Sequence, residues 1–199
     1  MTPAATARLL IVGPQGSGKG TQGVRIGERL GVPVVSTGDV FRANIAGGTE
    51  LGARVQQIVD RGDLVPDELT SEVVRDRLAQ PDAAHGFLLD GYPRNLGQVA
   101  HLDDFLAGRG ESLDAVIELH VPRAESIARL RLRAEEQGRT DDTTEVIARR
   151  LDIYENETAP ILDVYGSRGI VDRIDGVGTL DEITERIFAA LAARAITPA

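Results

Sequence analysis

Between an apolar run, Arg8-Leu-Leu-Ile-Val12, and a helical stretch reaching about Leu30 lies the segment Gly13-Pro-Gln-Gly-Ser-Gly-Lys-Gly-Thr21. Closely spaced glycines let successive backbone N–H groups point into one concavity, and a helix starting there adds the positive end of its dipole. Such a turn is built to cradle phosphate, with Lys19 extending a mobile charge toward the β- and γ-phosphates. It also demands a buried strand before it and a helix after it, the opening of a parallel α/β sheet.

Lys19 is the only lysine among 22 Lys+Arg, so every other basic position is arginine. A planar guanidinium does not replace a compact ammonium, so the one lysine stands where the chemistry asks for it. Its uniqueness excludes an Asn-Lys-x-Asp guanine-reading motif, which needs a second lysine, and its surroundings exclude a protein-kinase strand lysine. With no cysteine, a cysteine zinc knot and a disulfide framework are excluded too. Thirty-one Asp+Glu bring the formal net charge to −9. That balance disfavours a nonspecific nucleic-acid binder, but leaves room for an anionic ligand where arginines converge. No apolar run approaches the roughly 20 residues of a membrane span. The segment Met1–Ala7 has neither the basic start nor the apolar stretch of a secretory leader, so a cytoplasmic protein is expected.

Hydrophobic spacing predicts further strands at 32–35, 87–90, 115–121 and 169–174. Helices are expected at 39–46, 50–60, 67–79, 95–108, 123–135, 143–166 and 180–193, with a polar break over 136–142. Strand–helix alternation on this scale predicts a five-stranded parallel sheet flanked by helices.

Several further motifs occur in order: Ser-Thr-Gly-Asp-Val-Phe-Arg (36–42), Leu-Val-Pro-Asp (64–67), Asp-Gly-Tyr-Pro-Arg (90–94), Gly-Arg-Thr-Asp-Asp (138–142), and Arg150 ahead of a Tyr-x(3)-Thr-x-Pro stretch (154–160). With the phosphate loop they make the chain resemble the adenylate kinases over nearly its whole length. The resemblance implies a P-loop NTPase fold and the reaction MgATP + AMP ⇌ 2 ADP, serving adenine nucleotide balance. It implies a core of 1–35, 67–132 and 143–199, an AMP-binding flap of 36–66 and a short lid of 133–142.

Residue by residue, it implies ATP contacts from Gly16, Ser17, Gly18, Lys19, Gly20, Thr21, Arg129, Arg133 and Gly178. AMP contacts fall to Thr37, Arg42, Leu64, Val65, Gly91, Arg94, Gln98, Arg139 and Arg150. Lys19, Arg94, Arg129, Arg133, Arg139 and Arg150 would carry catalysis, and Asp90 would hold Mg²⁺ through water. The chemistry agrees with these roles. A guanidinium fork suits a phosphate, and Arg129 and Arg133, four apart, share one helix face. Arg131 between them should point to solvent, and Arg149 cannot face the site together with Arg150. Lys19 and the six arginines Arg42, Arg94, Arg129, Arg133, Arg139 and Arg150 would meet about six negative charges on the two nucleotides.

The attacking phosphate oxygen is already ionised, so no general base is needed and His85, His101 and His120 have no required part. Only Ala134–Gly138 separate Arg133 from Arg139, a short lid for which no structural zinc is expected. ATP, AMP and ADP are the expected partners, with no nucleic acid and no membrane, and a monomer is expected. UMP/CMP kinases typically read Ser-Ala-Gly-Glu where this chain has Ser36-Thr37-Gly38-Asp39, and the Thr favours AMP, although Asn95 is also met in those enzymes. A non-catalytic nucleotide-binding regulator and a P-loop hydrolase are the other readings. Gln15, Asp63 and Tyr92 depart from common family residues beside functional positions.

Overall fold

The first strand, β1 (Ala7–Val12), sends alternate side chains to opposite faces of the sheet, and both sets are apolar. Leu10 and Val12 enter one core with Leu89, Val116, Leu102 and Tyr165. Leu9 and Ile11 enter the other with Ile26, Leu88, Ile117, Ile187 and Leu191. A strand buried on both faces needs helices on both, which the chain supplies. The structure, a computed structural model, describes residues 7–137 and 143–198.

In chain order, β1 is followed by α1 (Lys19–Leu30), β2 (Val34–Ser36), α2 (Thr37–Ala46), α3 (Glu50–Asp60) and α4 (Asp67–Leu78). Then come β3 (Gly86–Asp90), α5 (Leu96–Ala107), β4 (Ala115–His120), α6 (Arg123–Gln137), α7 (Thr144–Ile153), α8 (Ile161–Ser167), β5 (Val171–Asp175) and α9 (Leu180–Ala193). The five strands form one all-parallel sheet in the order β2-β3-β1-β4-β5. Its register sets Leu10 of β1 beside Leu89 and Val116. The sequence neighbours β2 and β3 lie to one side of β1, and β4 and β5 to the other. The carboxyl end of β1 is therefore a topological switch point, where α/β sheets open a crevice for ligands.

Several bounds differ from the spacing-based expectation: α2 starts two residues early, at Thr37, and β5 two residues late, at Val171. β2 starts two residues late because Pro33 has no N–H to give, although its carbonyl still accepts from Leu88 N (2.9 Å). The expected helix 143–166 is interrupted at Tyr154–Thr158 by a turn of wider, π-helical pitch, closed by Ala159 N–H to Tyr154 O (2.7 Å). Pro160 explains it: lacking a donor, it breaks the i−4 ladder and the chain re-forms its bonds one residue wider. Helix α6 runs on through Gln137, past the break expected at 136. Away from the sheet, Phe41, Val55 and Val65 make a small separate core from α2, α3 and the segment before α4. Leu130, Ile147 and Leu151 join α6 to α7.

Candidate active site

The loop leaving β1 turns on glycine. Gly16 has φ +81°, and a Cβ there would stand 2.6 Å from the carbonyl oxygen of Ser126, so the loop lies flush against α6. Helix α1 then begins without a side-chain cap and without an acid in its first turn. Its first N–H groups and dipole remain available to an anion. Lys19 folds back, its Nζ donating to Gly13 O (2.8 Å) and Pro14 O (2.9 Å). Removal from water lowers its pKa to about 8, with Asp90 opposing the shift and Arg94 and Arg133 adding to it. The Ser17 Oγ and Gln15 Oε1 are buried in this loop without hydrogen-bond partners among the described residues.

Opposite the loop, the ends of β2 and β3 are tied together. Thr37, buried at the start of α2, donates its Oγ1 hydrogen to Gly91 O (2.9 Å). Gly91, at φ +81°, accepts a second bond from Arg94 Nε (2.8 Å); a Cβ there would crowd Thr37 Oγ1 at 2.8 Å. Arg94 is further fixed through its main chain: its N–H donates to Gln98 Oε1 (2.8 Å) and its carbonyl accepts from Thr158 Oγ1 (2.8 Å). Burial pulls the Arg94 pKa below the ordinary guanidinium value, and Asp90 opposes this. Arg42 pairs with Asp39 (2.6 Å), and Arg150 Nη2 donates to Val59 O (3.3 Å).

Asp90 ends β3, in register with Ile11 of β1 and Ser36 of β2. Burial raises its pKa, against the pull of Lys19, Arg94 and Arg42. Those cations come from both walls, so the carboxylate stands where the loop side and the flap side meet. The two sides enclose one cavity of about 700 Å³, within the range of small-molecule sites.

The cavity brings together Gly16, Ser17, Gly18, Lys19, Gly20, Thr21, Arg129, Arg133 and Gly178 on one side. Thr37, Arg42, Leu64, Val65, Gly91, Arg94, Gln98 and Arg150 line it on the other, with Asp90 among them. Arg139, with Asp141 and Asp142, lies outside the described residues. Arg131 is exposed, and Arg149 is not part of the cavity lining but pairs with Asp63, which is. Tyr92 gives its departure from the family residue a use: its hydroxyl pairs with Ser71 Oγ (2.8 Å), which also meets His101 Nδ1 (3.0 Å).

Among the lining residues to which the sequence assigned no role are Glu125 and, although it stands in the 154–160 motif, Thr158. Glu125 holds Arg129 Nε (2.7 Å), a four-residue helix pair that spacing alone could have shown. Thr158 reaches Arg94 from 64 residues away, and nothing local signals that.

A parallel sheet whose central strand feeds a phosphate loop into a cavity ringed by arginines defines a P-loop phosphotransferase. The adenylate kinase family model matches residues 11–170. The chain is 58% identical over 184 residues to the adenylate kinase of Kocuria rhizophila, covering 92% of this chain and 98% of that one. It is 56% identical over 191 residues to that of Clavibacter michiganensis subsp. michiganensis, 96% of each chain. To that of Thermobifida fusca it is 53% identical over 188 residues, 94% of this chain and all of the other. The chain belongs to the adenylate kinase family.

Proposed function

We propose that the cavity binds MgATP at its loop side and AMP at its flap side and transfers the γ-phosphoryl group between them, giving two ADP. The observation that carries this reading is a single cavity with two cationic walls meeting at Asp90. Lys19 would leave its two carbonyls for the β- and γ-phosphates, with the loop N–H groups and Ser17 closing around them. Arg129 and Arg133 would meet the same phosphates from α6. Thr37, Gly91 and Gln98, with the chain at Leu64 and Val65, would hold the adenine of AMP. Arg42, Arg94 and Arg150, and Arg139 beyond the described residues, would aim the AMP phosphate at the γ-phosphorus. The nucleophile needs no base, so the residues contribute alignment, charge stabilisation and exclusion of water.

Magnesium fits the donor set. Among the described residues no group of three or more His, Cys, Asp or Glu could cage a metal. Of the carboxylates lining the cavity, Asp39, Asp63 and Glu125 are paired with Arg42, Arg149 and Arg129, and Asp90 stands at the end of β3 within the field of Lys19. One carboxylate, water and substrate phosphates is how Mg²⁺ is commonly held. When bound, the ion would offset the charge on the bridging phosphate oxygens.

Residues 36–66 would close over AMP and 133–142 over ATP, leaving the rest as core. No helix among the described residues is long and apolar enough to cross a membrane. A monomeric cytoplasmic enzyme balancing adenine nucleotides agrees with the family and the composition. The test is an acceptor panel of AMP, UMP, CMP and GMP with MgATP as donor. AMP is expected to give the highest kcat/KM; a pyrimidine monophosphate ahead of it would reassign the acceptor.

A further inference from the structure

Behind the flap-side wall, outside the cavity lining, one carboxylate organises two amides. Asp67, at the first turn of α4, accepts on a single oxygen from Asn95 Nδ2 (2.9 Å) and Gln98 Nε2 (2.8 Å). Asn95 Oδ1 in turn caps α5 by accepting from Gln98 N (2.9 Å). The far end of the Gln98 amide, Oε1, accepts from the main-chain N–H of Arg94 (2.8 Å). The fit is close: a Cβ on Gly97 would stand 3.1 Å from the other carboxylate oxygen of Asp67.

A side-chain amide can usually rotate half a turn, exchanging its oxygen and nitrogen at little cost. Here the partners forbid it. A carboxylate has only acceptors and a main-chain N–H has only a donor. The flipped amide would set oxygen against carboxylate and N–H against N–H, so two hydrogen bonds would give way to two repulsions. Gln98 is almost wholly buried, so water cannot relieve either clash. In the orientation that remains, Oε1 keeps one unused lone pair and Nε2 one unused hydrogen.

The unused pair has a chemical meaning for the base. Adenine offers an amino donor at position 6 beside a ring-nitrogen acceptor, and a glutamine reads it by accepting from the first and donating to the second. A 6-oxo purine offers an acceptor at position 6, which a glutamine meets only with its amide turned the other way. We propose that Asp67 is a positioning residue for acceptor specificity: by locking the orientation of the Gln98 amide it selects a 6-amino purine monophosphate over a 6-oxo one. The inference rests on the AMP-side reading of Gln98 given above, and adds the residue that makes this glutamine discriminating.

The test compares AMP with IMP as acceptors, at saturating MgATP, in the full-length enzyme and in the Asp67→Asn, Asp67→Ala and Gln98→Leu variants. Thermal melts certify folding. In Asp67→Asn the AMP:IMP ratio of kcat/KM should fall by about tenfold, the scale of one directional base contact. The change should sit in KM, with kcat for AMP held within about twofold. Asp67→Ala should lower the ratio in the same direction, and it decides the matter should the Asn variant not fold. A ratio that collapses in Gln98→Leu but survives in both folded Asp67 variants overturns the proposal and leaves the base-reading role of Gln98 standing. A ratio untouched in Gln98→Leu overturns both. An enzyme that turns over no AMP ends the functional reading, and this proposal with it.

Discussion

The two walls of the cavity are built in opposite ways. The loop wall is built around one unbroken segment, 13–21, rich in glycine and carrying Lys19, with Arg129 and Arg133 of α6 beside it. The flap wall draws Thr37 and Arg42 from α2, Leu64 and Val65 from the segment before α4, Gly91 and Arg94 from beyond β3, Gln98 from α5 and Arg150 from α7. A local wall takes its shape from glycine geometry. A dispersed one takes it from packing and from hydrogen bonds that span the chain, such as Thr158 to Arg94. The loop wall should therefore fail at its own residues, and the flap wall also at residues that never touch the substrate.

The largest effect belongs to Lys19→Met. It should lower kcat by on the order of 10³-fold, the cost of one preorganised charge at a phosphoryl group, with an unchanged circular dichroism spectrum. Retention of activity within tenfold would mean that loop and chemistry are separate. Arg94→Ala should lower kcat/KM for AMP by about 10²-fold while KM for ATP moves less than about twofold. Equal damage to both substrates would erase the distinction between the walls.

The third effect depends on pH. The Lys19 pKa of about 8 lies below its ordinary value because burial in the loop strips water from it, whereas phosphate favours the ammonium form. Below pH 8 the lysine is already charged and ATP binding owes it no proton. Above pH 8 binding must take one up, so affinity should fall toward about tenfold per pH unit, and this slope should vanish in Lys19→Met. For the fold without nucleotide the sign reverses. The unfolded chain binds more protons between the two pKa values, so this residue makes the fold more stable as pH rises from about 8. Calorimetric titration with ATP and thermal melts across that range check both. The smallest effect is Thr158→Val, which removes one hydrogen bond worth about 1 kcal/mol and should raise KM for AMP about threefold, leaving KM for ATP unmoved.

The same contrast governs how much the sequence disclosed. The loop wall could be read directly, because its glycine spacing, its strand and its helix are all local. The strands also showed, since burial on both faces writes an apolar run such as Leu9–Val12. The flap wall was readable only through its resemblance to the family. Nothing in the spacing of Thr158 or Asp67 says that one grips Arg94 and the other Gln98. The π-helical turn was hidden for another reason. Pro160 announced a break, but how the freed bonds re-form depends on the neighbours that Thr158 and Tyr154 meet.

Several cations of the cleft are engaged within the protein itself. Lys19 rests on two loop carbonyls, Arg42 on Asp39, Arg129 on Glu125 and Gly176 O, and Arg150 on Val59 O. A small monovalent anion entering the cavity must displace such a partner and can replace only part of what is given up, since each bond is worth about 1 kcal/mol or more. A polyphosphate replaces several at once. The internal contacts would thus act as a threshold, and chloride and inorganic phosphate are expected to compete poorly with a nucleotide for the cleft.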